Sequence, residues 1–391
     1  MTRPTKHLTW VEVDLKALKH NLSEIRRLTQ RNLFVLPTRP YSKEERPPVM
    51  NVLTVVKADA YGHGMDRIAP LLDQSGVDFF GVSDVAEGIR IREIGIKKSV
   101  LLFESTLPDY APEILRYRLM PAIGNWELAT ALNRAAEKAK RSIEAHVKID
   151  TGMGRLGVWH AEAFAFIRRL MSLRRLRIMG LMTHFPSADT DKRFTLSQIK
   201  ILYDLVIKLD LSGLVIPYIH AANSMGLAGY ETRVLNLCRP GIMLYGLYPH
   251  AAARNAINLR PVMSVKSRVI FLKEVAKGRS ISYGRTFFSQ KDMRVAVIPL
   301  GYHDGYFRMF SNRASVLING RHCPVLGTVT MDQIMVDVTD LTGVKLGTVV
   351  TVMGTQGKAS ISADELAQYG QTIPYEITCS FGSRLPRVYS A

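Results

Sequence analysis

The sequence predicts an α/β protein, with an N-terminal (β/α)8 TIM barrel followed by a C-terminal all-β domain. Three observations carry this. Up to about residue 258, short β-rich runs alternate with helical patterns; after about Pro261 the helical periodicity gives way to closely spaced β-rich runs. The chain of 391 residues, 47% hydrophobic, is also too long for one ordinary compact domain and long enough for a barrel plus a smaller companion. The domains are therefore expected at 1–258 and 259–391. An open doubly wound sheet is the alternative for the first, because alternation alone does not fix closure.

The β-rich runs of the first domain end near Lys57 (VLTVVK), Ser83 (DFFGVS), Glu104 (SVLLFE), Ile123 (RLMPAI), Asp150 (EAHVKID), His184 (IMGLMTH), His220 (LVIPYIH) and Arg239 (VLNLCR). Helical patterns lie between most of them, as in NWELATALNRAAEKAKR (Asn125 to Arg141) and DKRFTLSQIKILYDLVIKL (Asp191 to Leu209). Eight strands over about 200 residues match the size of such a barrel. A first helix is expected from about Leu15 to Leu28. The Pro-rich, charged segment Gln30 to Asn51 reads as a surface excursion. In the second domain, VMSVKSRVIFLKEV, RVAVIPL, ASVLING, CPVLGTVT, QIMVDV and LGTVVTVM are separated by Gly, Asn and Asp, as strands and turns are.

Composition excludes several classes. No stretch approaches the run of about 18 to 20 apolar residues that a spanning helix needs, and MTRPTKHLTWVEVD lacks a signal-peptide core, so a soluble cytoplasmic protein without membrane partners is expected. Cys238, Cys323 and Cys379 form no metal-ligand pattern and read as reduced thiols; no metal is expected. The balance of 52 basic and 34 acidic residues gives +18, but the basic residues are scattered. Their densest cluster, Ile167 to Met179, alternates with apolar residues like a solvated helix face, and no nucleic-acid-binding signature accompanies it. No nucleic-acid partner is expected.

In a barrel of this kind the active site gathers at the C-terminal mouth, so polar residues that close strands converge from distant positions. Lys57, Asp150, His184, His220 and Arg239 all close strands. A lysine at the end of a buried strand is partly desolvated, which favours the neutral amine needed for a Schiff base. Pyridoxal 5'-phosphate (PLP) is the cofactor such a lysine suggests. Its phosphate needs backbone N–H donors and small hydroxyl residues, which HAANSMG (His220 to Gly226) and RPGIMLYG (Arg239 to Gly246) offer after strands seven and eight.

With VVKADAYGHG (Val55 to Gly64), HVKIDTGMGRLG (His146 to Gly157), MTHFPSAD, HAANS, RPGIMLYG, ISYGRTF (Ile281 to Phe287), IPLGYHDGY (Ile298 to Tyr306), VTMDQ (Val329 to Gln333) and TIPYEI (Thr372 to Ile377), the chain resembles bacterial alanine racemase. Nine collinear motifs spanning nearly the whole length are a specific match. The resemblance implies a PLP-dependent isomerase interconverting L- and D-alanine and so supplying D-alanine for peptidoglycan. It implies that Lys57 carries the cofactor and that Lys57 and Tyr283 are the two acid/base groups on opposite faces of the substrate. It also implies a head-to-tail homodimer in which Tyr283 enters the partner's site.

By the same resemblance Arg239 meets the pyridine nitrogen, and Arg239 and His184 assist Tyr283. Arg155 serves the cofactor's phenolic oxygen and the substrate carboxylate, and Lys148, carbamylated in many relatives, positions Arg155. Tyr61, Ser224, Gly241, Ile242 and Tyr375 bind the phosphate, with Asn223 in support. The Met331 N–H meets the substrate, Asp332 follows it, and Tyr302 and Tyr375 border the entrance. Arg285 and Thr330 depart from the usual pattern near the site and leave substrate breadth open. A broad-specificity amino-acid racemase is the alternative. A PLP-dependent decarboxylase, which shares the two-domain plan, would place a carboxylate at the pyridine nitrogen and a Gly-rich loop at the phosphate, where Arg239 and HAANS stand here.

Overall fold

The computed structural model describes residues 6–31, 50–231 and 234–390. Contacts divide them into two units, one drawn from residues 19–60 and 65–259 and the other from 6–18, 61–64 and 260–390. The Gln30 to Asn51 excursion falls outside the described residues from 32 to 49.

In the first unit eight parallel strands lie side by side in the order Leu237–Cys238, Asn51–Val55, Phe79–Val82, Ser99–Leu102, Met120–Ile123, Ile143–Asp150, Leu176–Met182 and Tyr218–His220. They are numbered below as barrel strands one to eight in chain order, beginning with Asn51–Val55. Strands two to four are buried almost throughout, as parallel strands covered on both faces must be. The ends of the sheet approach each other. Asn236 N–H donates to Ile219 O at 3.1 Å and Arg239 N–H to Ala222 O at 2.8 Å, while the Asn236 side chain accepts from Ile219 N–H and donates to Pro217 O, both at 2.8 Å. The barrel is therefore nearly closed, and the open-sheet alternative is set aside.

Several of the helices between the strands start at a side-chain cap. Asp84, Asn125 and Asp191 accept from the N–H groups of Glu87, Leu128 and Phe194, starting helices Val85–Glu93, Trp126–Lys138 and Lys192–Leu211. Helix Leu15–Thr29 matches the expected first helix, and its opening residues belong to the second unit.

In the second unit the principal sheet runs Arg321–Pro324, Ser315–Ile318, Val349–Gln356, Met263–Arg268, Trp10–Asp14 and Arg387–Ser390, with Ala359–Ile361 paired to Val349–Gln356. A three-stranded antiparallel sheet joins Phe271–Val275, Met293–Ile298 and Ile334–Asp337. Alternation is clean in Met263–Arg268, where every second residue is buried. Two short helices, Ala363–Gly370 and Pro374–Ser380, accompany the sheets. The run CPVLGTVT contributes only its first two residues to a strand; Val325 then bridges Val336, and Gly327 follows at a φ of 74°.

Residues 6–18 and 61–64 group by contact with the second unit. Strand Trp10–Asp14 pairs antiparallel with Met263–Arg268 and parallel with Arg387–Ser390, so residues far ahead of the barrel sit in the interior of the other unit's sheet. Five residues carry too short an alternation to announce a partner 250 positions away. Val11 and Val13 are fully buried there. Val11→Asp would place an unpaired charge in that core, and urea unfolding is expected to show a loss of about 3 to 5 kcal/mol.

Candidate active site

Barrel strand five presents His146, Lys148 and Asp150 at alternate positions, hence on one side of the strand, and all three are buried. Opposite His146 the register of strand six shifts by one residue, bringing Gly180 alongside. A Cβ at position 180 would come within 2.3 Å of His146 Nδ1, so only glycine leaves room for the imidazole.

Arg239, just past strand eight, is 4% exposed. Its Nη1 donates to His220 Nδ1 at 2.8 Å, and its Nη2 meets Thr183 O at 2.7 Å, Ala221 O at 3.0 Å and His184 Nδ1 at 3.3 Å. A guanidinium can only donate, so His220 Nδ1 accepts and its proton resides on Nε2. That Nε2–H then donates to His146 Nδ1 at 2.7 Å, which leaves the His146 proton on Nε2, a buried atom with no partner among the described residues. The bonding pattern thus sets both tautomers in the neutral form. Burial, reinforced by the Arg239 charge, pushes His146 down to about 3 and His220 well below its usual value. His184 falls to about 2, through burial and then the charges of Arg239, Lys148, Arg155 and Lys57.

Lys148 is 6% exposed and lines a pocket of about 360 Å3 with Ser105, Asn125, Asp150, Arg155 and Trp159. Burial, then the charges of Arg239 and Arg155, lower its amine to about 7. Burial alone would raise the pKa of Asp150, but N–H groups of Gly152, Gly154, Met153 and Arg155 outweigh it and hold the carboxylate low. These bonds fold the GMGR loop back onto the strand end and fix the backbone of Arg155.

Lys57 is half-buried, two residues beyond barrel strand one. Ala58, Asp59, Ala60 and Tyr61 follow it with φ between 52° and 55°, a left-handed turn built without glycine. Each such residue costs about 1 to 2 kcal/mol. Three bonds hold the turn in the barrel unit: Ala60 N–H to Val56 O at 2.9 Å, Met65 N–H to Asp59 Oδ1 at 2.7 Å, and Ala58 N–H to Glu87 Oε1 at 2.6 Å.

After barrel strand seven, close to strand eight, which pairs with strand one, Asn223 caps helix Ser224–Gly229 by accepting from Gly226 N–H at 2.9 Å. The buried Ser224 hydroxyl accepts from Gly241 N–H at 3.1 Å and Met243 N–H at 3.4 Å. Ile242 is fully buried in the following turn. The structure thus brings Asn223, Ser224, Gly241 and Ile242 into one polar cradle.

The remaining expected residues lie in the second unit. Tyr61 is buried, with its ring centroid 6.2 Å from that of the half-buried Tyr375, and burial raises its hydroxyl pKa. Thr330 closes a tight turn with Gln333 that presents Met331 and Asp332; Tyr302 N–H donates to Thr330 O at 3.0 Å. Arg384 pairs with Asp332 at 2.7 Å and with the buried Asp304 at 3.3 Å. Tyr283 is 74% exposed beside Ser282, Gly284 and Arg285, all at positive φ, and its carbonyl accepts from the Thr328 hydroxyl at 2.8 Å. A groove of about 1010 Å3 runs past it, lined by Phe271, Ile281, Val297 and Met335.

Sequence reasoning missed His146, Thr183, Gln198 and Glu87. The two-residue spacing of His146, Lys148 and Asp150 carried the signal for the first. Thr183 reaches Arg239 through its carbonyl and Gln198 reaches the His184 carbonyl at 3.2 Å, and the two are linked by Thr151, whose hydroxyl lies 2.6 Å from that of Thr183 and accepts from Gln198 Nε2 at 2.9 Å.

A barrel whose mouth buries Arg239 and Lys148, with Arg155 and Lys57 beside them and Asp150 committed to its loop, suits an anionic ligand. With an amine at a strand end and a hydroxyl and N–H cradle, the donor set fits a phosphorylated aldehyde cofactor, and so defines an enzyme of the PLP class. Residues 41–249 match the alanine racemase N-terminal domain and residues 262–389 the alanine racemase C-terminal domain. The chain is 39% identical over 390 residues to alanine racemase of Halothermothrix orenii, covering 100% of this chain and 97% of that protein. Alanine racemase of Clostridium difficile 630 superposes with a TM-score of 0.89 at 32% identity, covering 99% and 97% of the two chains. A crystal structure of alanine racemase from Bartonella henselae with covalently bound pyridoxal phosphate gives a TM-score of 0.83 at 26% identity, covering 98% and 100%. The chain belongs to the alanine racemase family, PLP-dependent isomerases that interconvert L- and D-alanine.

The lowered pKa of Lys148 makes stability depend on pH. Between about 7 and 10.5 the unfolded chain binds a proton at this amine and the folded chain does not, so stability rises with pH across that window and the full penalty applies below it. In carbon-dioxide-free buffer, Lys148→Met is expected to flatten that rise and to be the more stable protein below pH 7, as read by urea unfolding.

Proposed function

We propose that Lys57 and Tyr283 are the two proton-transfer groups of an alanine racemase whose composite sites form in a head-to-tail homodimer. The observation that carries this reading is the strand-end lysine together with the buried Lys148 and Arg239 and the exposed Arg155 beside them, at the positions that match the family motifs. When bound, PLP withdraws electrons from the substrate Cα and acidifies its hydrogen.

The chain's own groups supply the rest. Lys57 takes the Cα proton from one face and Tyr283 returns one to the other; in the opposite direction the roles exchange. A single base would tend to return what it took to the same face. Arg239 would meet the pyridine nitrogen and, keeping its proton, would restrain the ring's electron demand. The neutral His220 leaves that guanidinium charge in place and aims it. Ser224, the Gly241 and Ile242 backbone, Tyr61 and Tyr375 hold the phosphate, with Asn223 fixing Ser224. His184 and Arg239 assist the Tyr283 hydroxyl.

Arg155 and the Met331 N–H receive the substrate carboxylate, while Tyr302, Asp332 and Tyr375 narrow the entrance. The neutral Lys148 amine can add carbon dioxide, releasing one proton, and the resulting carbamate pairs with Arg155. The exposed Tyr283 and the groove beside it, whose lining mixes apolar side chains such as Phe271 and Met335 with Lys273, Glu274 and Arg279, support a second copy of the chain as its cover. D-Alanine for peptidoglycan, made in the cytoplasm, is the product role that follows.

A chiral assay on L-alanine tests the reaction, with D-alanine formed and no carbon dioxide released as the expected result. Lys57→Ala should lose the lysine-linked cofactor and its absorption; Tyr283→Phe should keep both and lose at least about 100-fold in racemisation. Parental rates in Tyr283→Phe would refute the two-base assignment. Equal mixing of these two inactive variants, with subunit exchange, should restore about one quarter of parental activity, because half the dimers are mixed and each has one intact site. No recovery would place Lys57 and Tyr283 of each site on one chain.

A further inference from the structure

We infer that Glu87 is a positioning residue for Lys57: its carboxylate clamps the left-handed turn that follows the lysine to the end of the neighbouring barrel strand. Glu87 Oε1 accepts from Ala58 N–H, the first amide after Lys57, at 2.6 Å, and Oε2 accepts from Ser83 N–H, just past barrel strand two, at 2.7 Å. One carboxylate thus ties two strand ends together through both of its oxygens.

The clamp is itself held. Asp84 accepts from Glu87 N–H at 2.9 Å as it starts helix Val85–Glu93, so the residue carrying the carboxylate is part of a capped first turn. The sequence S-D-V-A-E resembles a reciprocal capping box, in which the glutamate would return to the cap's own N–H. Here it reaches instead to Ser83 and across to Ala58. Burial raises its pKa while the Ser83 and Ala58 N–H groups act in the opposite sense.

The consequence lies in the run of positive φ from Ala58 to Tyr61. Consecutive left-handed residues with side chains persist only where surrounding bonds over-determine them. Releasing Ala58 lets the turn relax toward ordinary backbone and swings the Cα–Cβ direction of Lys57. A displacement of about 1 Å at a reacting group can lower a rate about 100-fold. This inference rests on the reading that Lys57 holds the cofactor and moves the proton.

The test uses the full-length protein with Glu87→Gln and Glu87→Ala. Amide hydrogen exchange at Ala58 and Ser83 should accelerate about tenfold or more, with strands of the second unit unchanged. The rate at which PLP becomes attached to Lys57, trapped by borohydride and read by peptide mass spectrometry, should fall about tenfold, and kcat should fall with KM for alanine nearly constant. Faster exchange with parental attachment and kcat would make the carboxylate purely structural and overturn the proposal; so would unchanged exchange. If Glu87→Ala does not fold, Glu87→Gln, which keeps the shape and one acceptor oxygen, decides on the same readings. Should the parent itself show no trapped cofactor at Lys57, the reading of that lysine fails, whereas a labelled parent with unaffected variants rejects the clamp alone.

Discussion

A guanidinium buried with no carboxylate partner among the described residues is the constraint around which the barrel mouth is built. Arg239 keeps its charge because every group facing it offers a lone pair: two carbonyls and two imidazole nitrogens. Had one imidazole turned over or gained a proton, a donor would face a donor in a site closed to water, and the penalty would fall on the whole cluster. Neutral histidines, a lysine whose amine is lowered to about 7 and glycine opposite the imidazole are therefore parts of one solution. An unneutralised cation left at the end of such a chain is also what a cofactor carrying a ring nitrogen and a phosphate can use.

Much of the barrel was legible in the sequence because its signals are local. Each parallel strand is a short apolar run, and helical patterns such as Asn125 to Arg141 and Asp191 to Leu209 show their own period between most of them. The strand-end polar residues were legible for the same reason, since position at the end of a run already says which mouth a side chain approaches. Placing them as a chemical set needed the family motifs, which carry ordered information that periodicity lacks.

What stayed hidden depends on partners remote in sequence. Trp10–Asp14 alternates like any edge or central strand, and nothing in five residues names Met263–Arg268 as its neighbour. The Glu87 side chain was equally silent, because the local pattern pointed it at its own helix cap while the fold carries it across to Ala58. His146 shared a spacing with Lys148 and Asp150, yet its role emerges only when the donor inventory is followed from Arg239 through His220. Local chemistry names candidates; connectivity in space assigns them.

The pairing of the chain's first and last strands has a consequence for synthesis on the ribosome. Trp10–Asp14 emerges first, but its antiparallel neighbour appears some 250 residues later and its parallel one only at Arg387–Ser390. At about 5 to 20 residues per second, that strand waits roughly 13 to 50 seconds for the first partner and longer for the second. The barrel sequence, translated in between, can collapse while this strand is still unpaired. The opening residues of the chain are thus among the last to reach their native neighbours, and a nascent-chain chaperone would find its longest-lived substrate there.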